Sequence, residues 1–188
     1  NELVAVGVAA GALTAGNVGD TDGNVYVGYN AGYSNVSGSG LTFLGFKAGQ
    51  NATGSYNTFL GYRSGQGSSG AASTTGGHNT GVGYDTLKAI TAGQYNTVIG
   101  KNTGMAITTA NYNTFVGAWA GDAATESGYN TVVGFQAFSD AVDGSSHTVA
   151  IGYQAGKAIT SGDGNIMIGA GAGNTTTDVD KAVIIGQN

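Results

Sequence analysis

The sequence predicts an all-β, single-domain parallel β-solenoid of about eleven coils, each about 17 residues long, and three observations carry that prediction. A short apolar run ending in glycine recurs eleven times along the chain. The runs are rich in β-branched residues and too short for helices, and the repeat has no room for a pair of helices. Glycine supplies 36 of 188 residues, proline and cysteine are absent, and only 9% of residues are charged, against roughly a quarter in ordinary globular domains.

In chain order the runs are LVAVG, NVYVG, LTFLG, NTFLG, NTGVG, NTVIG, NTFVG, NTVVG, TVAIG, NIMIG and AVIIG, ending at Gly7, Gly28, Gly45, Gly61, Gly83, Gly100, Gly117, Gly134, Gly152, Gly169 and Gly186. Successive spacings are 21, 17, 16, 22, 17, 17, 17, 18, 17 and 17. No break interrupts them, so residues 1–188 read as one continuous repeat domain. Two short strands per coil are expected, stacked in parallel at about 4.8 Å into a rod about 50 Å tall.

Each position of the repeat has a chemical bias. The residue before the glycine is Val, Leu or Ile in every copy (Val6, Val27, Leu44, Leu60, Val82, Ile99, Val116, Val133, Ile151, Ile168, Ile185) and is expected to form the interior stack. Two residues earlier, on the same face of a strand, stand Thr42, Thr58, Thr80, Thr97, Thr114 and Thr131. Three residues after the glycine the side chain is small, which suggests a tight bend. Four before it stands asparagine in seven copies (Asn24, Asn57, Asn79, Asn96, Asn113, Asn130, Asn165). Asparagine tolerates turn conformations and stacks into amide ladders.

The residue two before the glycine then points outward, yet it too is apolar: Tyr26, Phe43, Phe59, Val98, Phe115, Val132, Met167 and Ile184 among others. An apolar stripe along a rod marks an interaction surface. These residues are therefore expected to line the interface of a cyclic homo-oligomer, a homotrimer first.

Composition excludes several classes. The net charge is −5 and the six Lys and Arg are scattered singly, so no basic patch exists for nucleic acid. The opening LVAVGVAAGAL has no preceding basic residue and is too short to span a bilayer, so this segment is not expected to insert into a membrane. Without cysteine there is no disulfide and no thiolate metal site.

HTVAIGYQA (147–155) and NTVIGKNTG (96–104) resemble the NSVAIG-x-x-S repeat in the heads of the YadA-like trimeric autotransporter adhesins. That resemblance covers essentially the whole chain and implies a left-handed parallel β-roll, three chains packed side by side, and an adhesive role at a surface. The longer period and the recurring NTF-[VL]-G-Y-x-[AS]-G signature resemble segments of bacteriophage tail fibres, which are also trimeric. The chain begins and ends within the pattern, which suggests a piece of a longer fibre.

No catalytic constellation is legible. His78 and His147 lie four repeats apart beside the Asn-Thr pairs, and the acidic residues fall mostly in variable turns. Asp20, Asp22 and Asn24 alternate as in calcium loops but lack the closing Glu of an EF-hand, and no Lys-Ser/Thr follows a glycine loop, so no metal or other cofactor is expected. Aromatic residues before the Asn-Thr pairs and after the glycines pack between coils or stack on sugars. Tyr112 and Trp119 are the candidate ligand contacts, and the two longest spacings, near Val18–Gly23 and Gly67–Gly77, are candidate loop excursions.

The reading is a non-catalytic, trimeric, extracellular fibre segment for adhesion or receptor binding, of the tail-fibre kind, with a host glycan or protein as receptor. A bacterial adhesin head is the alternative. An ice-binding or polysaccharide-processing β-solenoid is the further one; the ice-binding form suffers because parity puts the threonine column on the face expected to be interior.

Overall fold

The computed structural model describes residues 2–13, 23–68, 74–141 and 144–187. They form an all-β solenoid with one strand per coil: β1 Leu3–Val6, β2 Asn24–Val27, β3 Thr42–Leu44, β4 Thr58–Leu60, β5 Thr80–Val82, β6 Thr97–Ile99, β7 Thr114–Val116, β8 Thr131–Val133, β9 Val149–Ile151, β10 Ile166–Ile168 and β11 Val183–Ile185. These strands pair in parallel, in sequence order, as a single sheet. The register places like on like, for example Thr97 on Thr114, Val98 on Phe115 and Ile99 on Val116.

Two strands per coil were expected, and the structure has one. Beyond each of the first ten anchor glycines the backbone turns left-handed at alternate residues, as at Arg63 (φ 52°) and Gly65 (φ 55°) or Asn102 (φ 55°) and Gly104 (φ 52°). Such dihedrals are incompatible with an extended strand. Coil-to-coil bonds persist through these turns, as from Lys47 N–H to the Tyr29 carbonyl and from Gly49 N–H to the Ser64 carbonyl. Outside the sheet only two isolated bridges occur among the described residues, Ala52 with Thr74 and Ser161 with Asp178.

The anchor glycine is required twice over. All eleven have φ between 127° and 141°, a region essentially restricted to glycine. Successive anchors also nearly touch: a methyl on Gly45 would stand 2.3 Å from the Gly61 carbonyl oxygen. The seventeen-residue repeat thus locks its phase at the point where coils approach most closely.

The interior is the opposite face from the one expected. Tyr26, Phe43, Phe59, Val98, Phe115, Val132 and Met167, assigned above to an oligomer interface, are fully buried inside the single chain, and Ile184 packs against that core in the last coil. None of the eleven residues before the glycine is buried; Val6 is 57% exposed and Ile185 70%. A period of two separates the faces but does not say which is inside. Uniformity was a poor guide, because the constant Val, Leu and Ile column makes an even outer sheet face while the interior varies from coil to coil.

That variation follows a rule. Where the central strand residue is a ring, the residue six positions on is glycine and lies against it: an added methyl would stand 2.5 Å from Phe43 at Gly49 and 2.4 Å from Phe115 at Gly121. Where the strand residue shrinks to Gly81 or Val132, the partner grows to Leu87 or Phe138, both fully buried. In the coils of Val98 and Ala150 the space goes to Ile107 and Ile159, which approach Gly104 and Gly156. The available volume is shared within each coil to keep the close packing that interiors require.

On the same inner side, the asparagines form a buried column, unbroken from Asn57 to Asn130. Asn79 Oδ1 accepts from the Asn96 backbone N–H and side-chain amide, both at 3.0 Å, and Asn96 Oδ1 does the same for Asn113 at 3.0 and 3.1 Å. The other Nδ2 proton goes to a returning backbone carbonyl, Ala110 for Asn96 (2.8 Å) and Ser127 for Asn113 (3.0 Å). Leu41, Thr148 and Ala182 take the asparagine position in three coils and still donate their backbone N–H to the previous Asn Oδ1.

Volume sharing makes a specific expectation. Phe115→Gly should cost about 3–5 kcal/mol as a cavity, and Gly121→Leu should destabilise by overfilling. The double variant, which copies the Gly81/Leu87 coil, should be more stable than the sum of the singles by about 1–3 kcal/mol in denaturant titrations; strict additivity would refute the shared volume.

Candidate functional site

The outer face of the sheet carries two columns of side chains. One holds six consecutive threonines from Thr42 to Thr131, in direct register and exposed or half-buried. The other holds the Val, Leu and Ile residues before each glycine, with Leu44, Ile99, Val133 and Ile151 each more than a third exposed. Across all eleven strands the two columns contain no charged residue. The contact face that sequence reasoning placed on the phenylalanine column is therefore available here instead.

Aromatic ladders flank the strands on both sides. Before the Asn-Thr pairs, Tyr56, His78, Tyr95, Tyr112, Tyr129 and His147 stack in unbroken order with centroids 4.7–5.0 Å apart. Every ring in it stands on left-handed backbone, φ 56–61°, uncommon for non-glycine residues; Gly23, Gly40 and Gly164 occupy the same place in other coils. Ring-on-ring contact offsets this local strain. After the anchor glycines runs a second ladder, Tyr29, Phe46, Tyr62 and Tyr84, with centroids 5.0–5.3 Å apart and planes within 13°.

Tyr112 and Trp119, the sequence-predicted ligand contacts, sit in different settings. Tyr112 is sandwiched between Tyr95 (5.0 Å, 1°) and Tyr129 (5.0 Å, 17°), so both its faces are taken and only its edge meets solvent. Trp119 is half-buried and meets Phe135 edge-on at 74°. The two histidines belong to one ladder with three tyrosines between them, so they do not converge. His147 Nδ1 lies 3.1 Å from Asp163 Oδ1, but both side chains are more than half exposed, where an ion pair is worth little.

Charged groups are few and mostly local. Arg63 makes a two-point contact with the buried Asp85, 2.8 and 2.6 Å, and this carboxylate holds the guanidinium pKa up. Ser161 and Thr160 donate to Asp178 and hold its pKa below the usual range. Burial pushes the Tyr26 phenol up to about 12, against the Asn35 amide that donates to it at 2.7 Å. Sequence reasoning missed Asp122: its Oδ1 is buried without a hydrogen-bond partner among the described residues, and burial, with Asp140 nearby, raises its pKa to about 6. Its only sequence signal is a carboxylate where two coils carry Gln50 and Gln66, which bond to each other.

Among the described residues no group of three His, Asp or Glu is placed to hold a metal ion, and no helix is long and apolar enough to cross a membrane. Of the calcium-like trio, Asp20 and Asp22 lie outside the described residues and Asn24 belongs to the buried amide column. Residues 18–22 of the first excursion and the middle of that at Gly67–Gly77, residues 69–73, lie outside them as well. Comparison of the chain with protein-family models, curated proteins and solved structures finds no match. The functional reading therefore rests on the two outer columns and the ladders beside them.

Asp122 gives a pH test. Its folded pKa of about 6 lies above the ordinary 3.8, so the folded state takes up the proton more readily and gains stability as pH falls through 6, with the gain complete below 3.8. Asp122→Asn should raise the melting temperature at pH 7–8 and lose most of that advantage by pH 4, as read by thermal melts; an advantage independent of pH would contradict the assignment.

Proposed function

We propose that this chain is a non-catalytic segment of a trimeric extracellular fibre serving adhesion or receptor binding, of the bacteriophage tail-fibre kind first and the bacterial adhesin-head kind second. The observation that supports it is the uncharged outer face, in which an aliphatic column runs through all the coils beside a second column that is threonine in the six central coils and Val or Ile in the rest. Exposed apolar area on this scale marks an interaction surface. Three parallel rods around a common axis would each turn this face inward, as cyclic symmetry allows. In this reading Leu44, Ile99, Val116 and Val133, with Thr97 and Thr114, make the contact between chains, while Phe43, Phe59 and Phe115 support it from within. The left-handed coil and the location on a virion or bacterial surface belong to the same proposal.

A second reading is favoured by one observation, the exposure of the threonine column. Sequence parity had counted against an ice-binding surface because it placed these threonines with the interior residues. Six hydroxyls in register on a rigid, uncharged sheet, next to a column of methyl groups, form a regular array that could order water.

One pair of substitutions separates the two. Thr97→Tyr with Thr114→Tyr adds bulk to the outer face and should leave the far-UV circular dichroism unchanged. In the fibre reading the parent sediments as a trimer at micromolar concentration and the double variant falls to monomer. A parent that is monomeric and suppresses ice recrystallisation, with the suppression lost in the variant, would replace the fibre reading by the second one.

A further inference from the structure

The ladder that follows the anchor glycines is broken once between its stacked runs. After Tyr84 the next coil places Lys101 where a ring would stand, the coil after that places Ala118, and stacking resumes only with Phe135 and Tyr153, 5.8 Å apart. Elsewhere the rings of a run cover one another. At the break one face of Tyr84 has no ring against it, and Trp119, one residue beyond Ala118, stands across the gap at 74° to Phe135. The Lys101 ammonium lies between them, 5.9 Å from the Tyr84 ring centre and 5.1 Å from that of Trp119.

This ammonium is exposed and has no carboxylate partner among the described residues, whereas Arg63, two coils away, is committed to Asp85. Two aromatic rings beside a cation that they hold only by weak, exposed cation–π contacts make a site with a definite chemical preference. The flat C–H face of a pyranose packs on an aromatic face, and a carboxylate accepts a charge-assisted hydrogen bond from an ammonium.

We propose that the break formed by Tyr84, Lys101 and Trp119 binds a uronic-acid residue of an acidic polysaccharide, with the sugar on the rings and its carboxylate on Lys101 Nζ. This deepens the receptor-binding part of the fibre reading and rests on it. The site lies beside the threonine and aliphatic columns and not within them, so packing of three chains through those columns leaves it open.

Trp119 is the only tryptophan in the sequence, so its fluorescence reports on this site alone. The assembled protein is titrated with an oligogalacturonate and with a neutral oligosaccharide of equal length. The expected result is a saturable change of Trp119 emission with the acidic oligosaccharide, at least about tenfold weaker with the neutral one and with Lys101→Gln. It should be abolished in Lys101→Tyr, which continues the ladder below Tyr84 and should melt no lower than the parent. No saturable change, or equal affinity in Lys101→Gln, overturns the proposal. Sedimentation of the same samples keeps the readings apart: a trimer without sugar binding sinks this inference alone, and a monomer sinks the fibre reading.

Discussion

The buried column of asparagine amides is the interaction on which the rest of the structure depends. At its centre one side chain makes three kinds of bond at once: it receives the next coil's backbone N–H, receives the next coil's amide, and donates to a returning carbonyl, as Asn57, Asn79 and Asn96 do in succession. A buried polar group left unmatched costs about 1–3 kcal/mol. A coil that slipped by one residue would strand several such groups together, and would bring a side chain to the point where an anchor glycine now lies against the next coil's backbone. Phase is therefore set by amide satisfaction and by close backbone approach, and the apolar interior is free to vary in shape.

That freedom explains why the faces were legible from the sequence only as a pair. The repeat, its phase and the eleven strands follow from the glycines and the β-branched runs, and β1 to β11 fall where those runs predict. Which face is inside does not follow from period-two alternation. The decisive clue is the joint behaviour of residues six apart: Phe43 with Gly49 and Phe115 with Gly121, against Gly81 with Leu87 and Val132 with Phe138. Only partners sharing one confined volume trade size in this way. The asparagines give the same answer, since they lie two residues before the buried column and their amides are satisfied only by being inside.

The outer features were legible unequally. The tyrosines and histidines before the Asn-Thr pairs were visible as a column, but not that their faces are consumed by stacking on one another, which leaves Tyr112 no surface for a sugar. Trp119 was visible as an outlier, while Lys101 passed as one more scattered cation until the structure placed it between two rings. Asp122 was lost among turn carboxylates because its burial comes from neighbouring coils, far along the chain. Properties created by stacking seventeen residues apart do not show in any single stretch.

The most direct measurement of the central claim is hydrogen exchange of the asparagine side-chain amides by nuclear magnetic resonance, since it reads burial of the column whether the protein is one chain or three. The amides of Asn79, Asn96 and Asn113 should exchange only with global unfolding, together with the slowest backbone N–H groups of β5 to β7. Exchange of these amides at the rate of a freely solvated side-chain amide, with the backbone still protected, would contradict an interior built on the amide column.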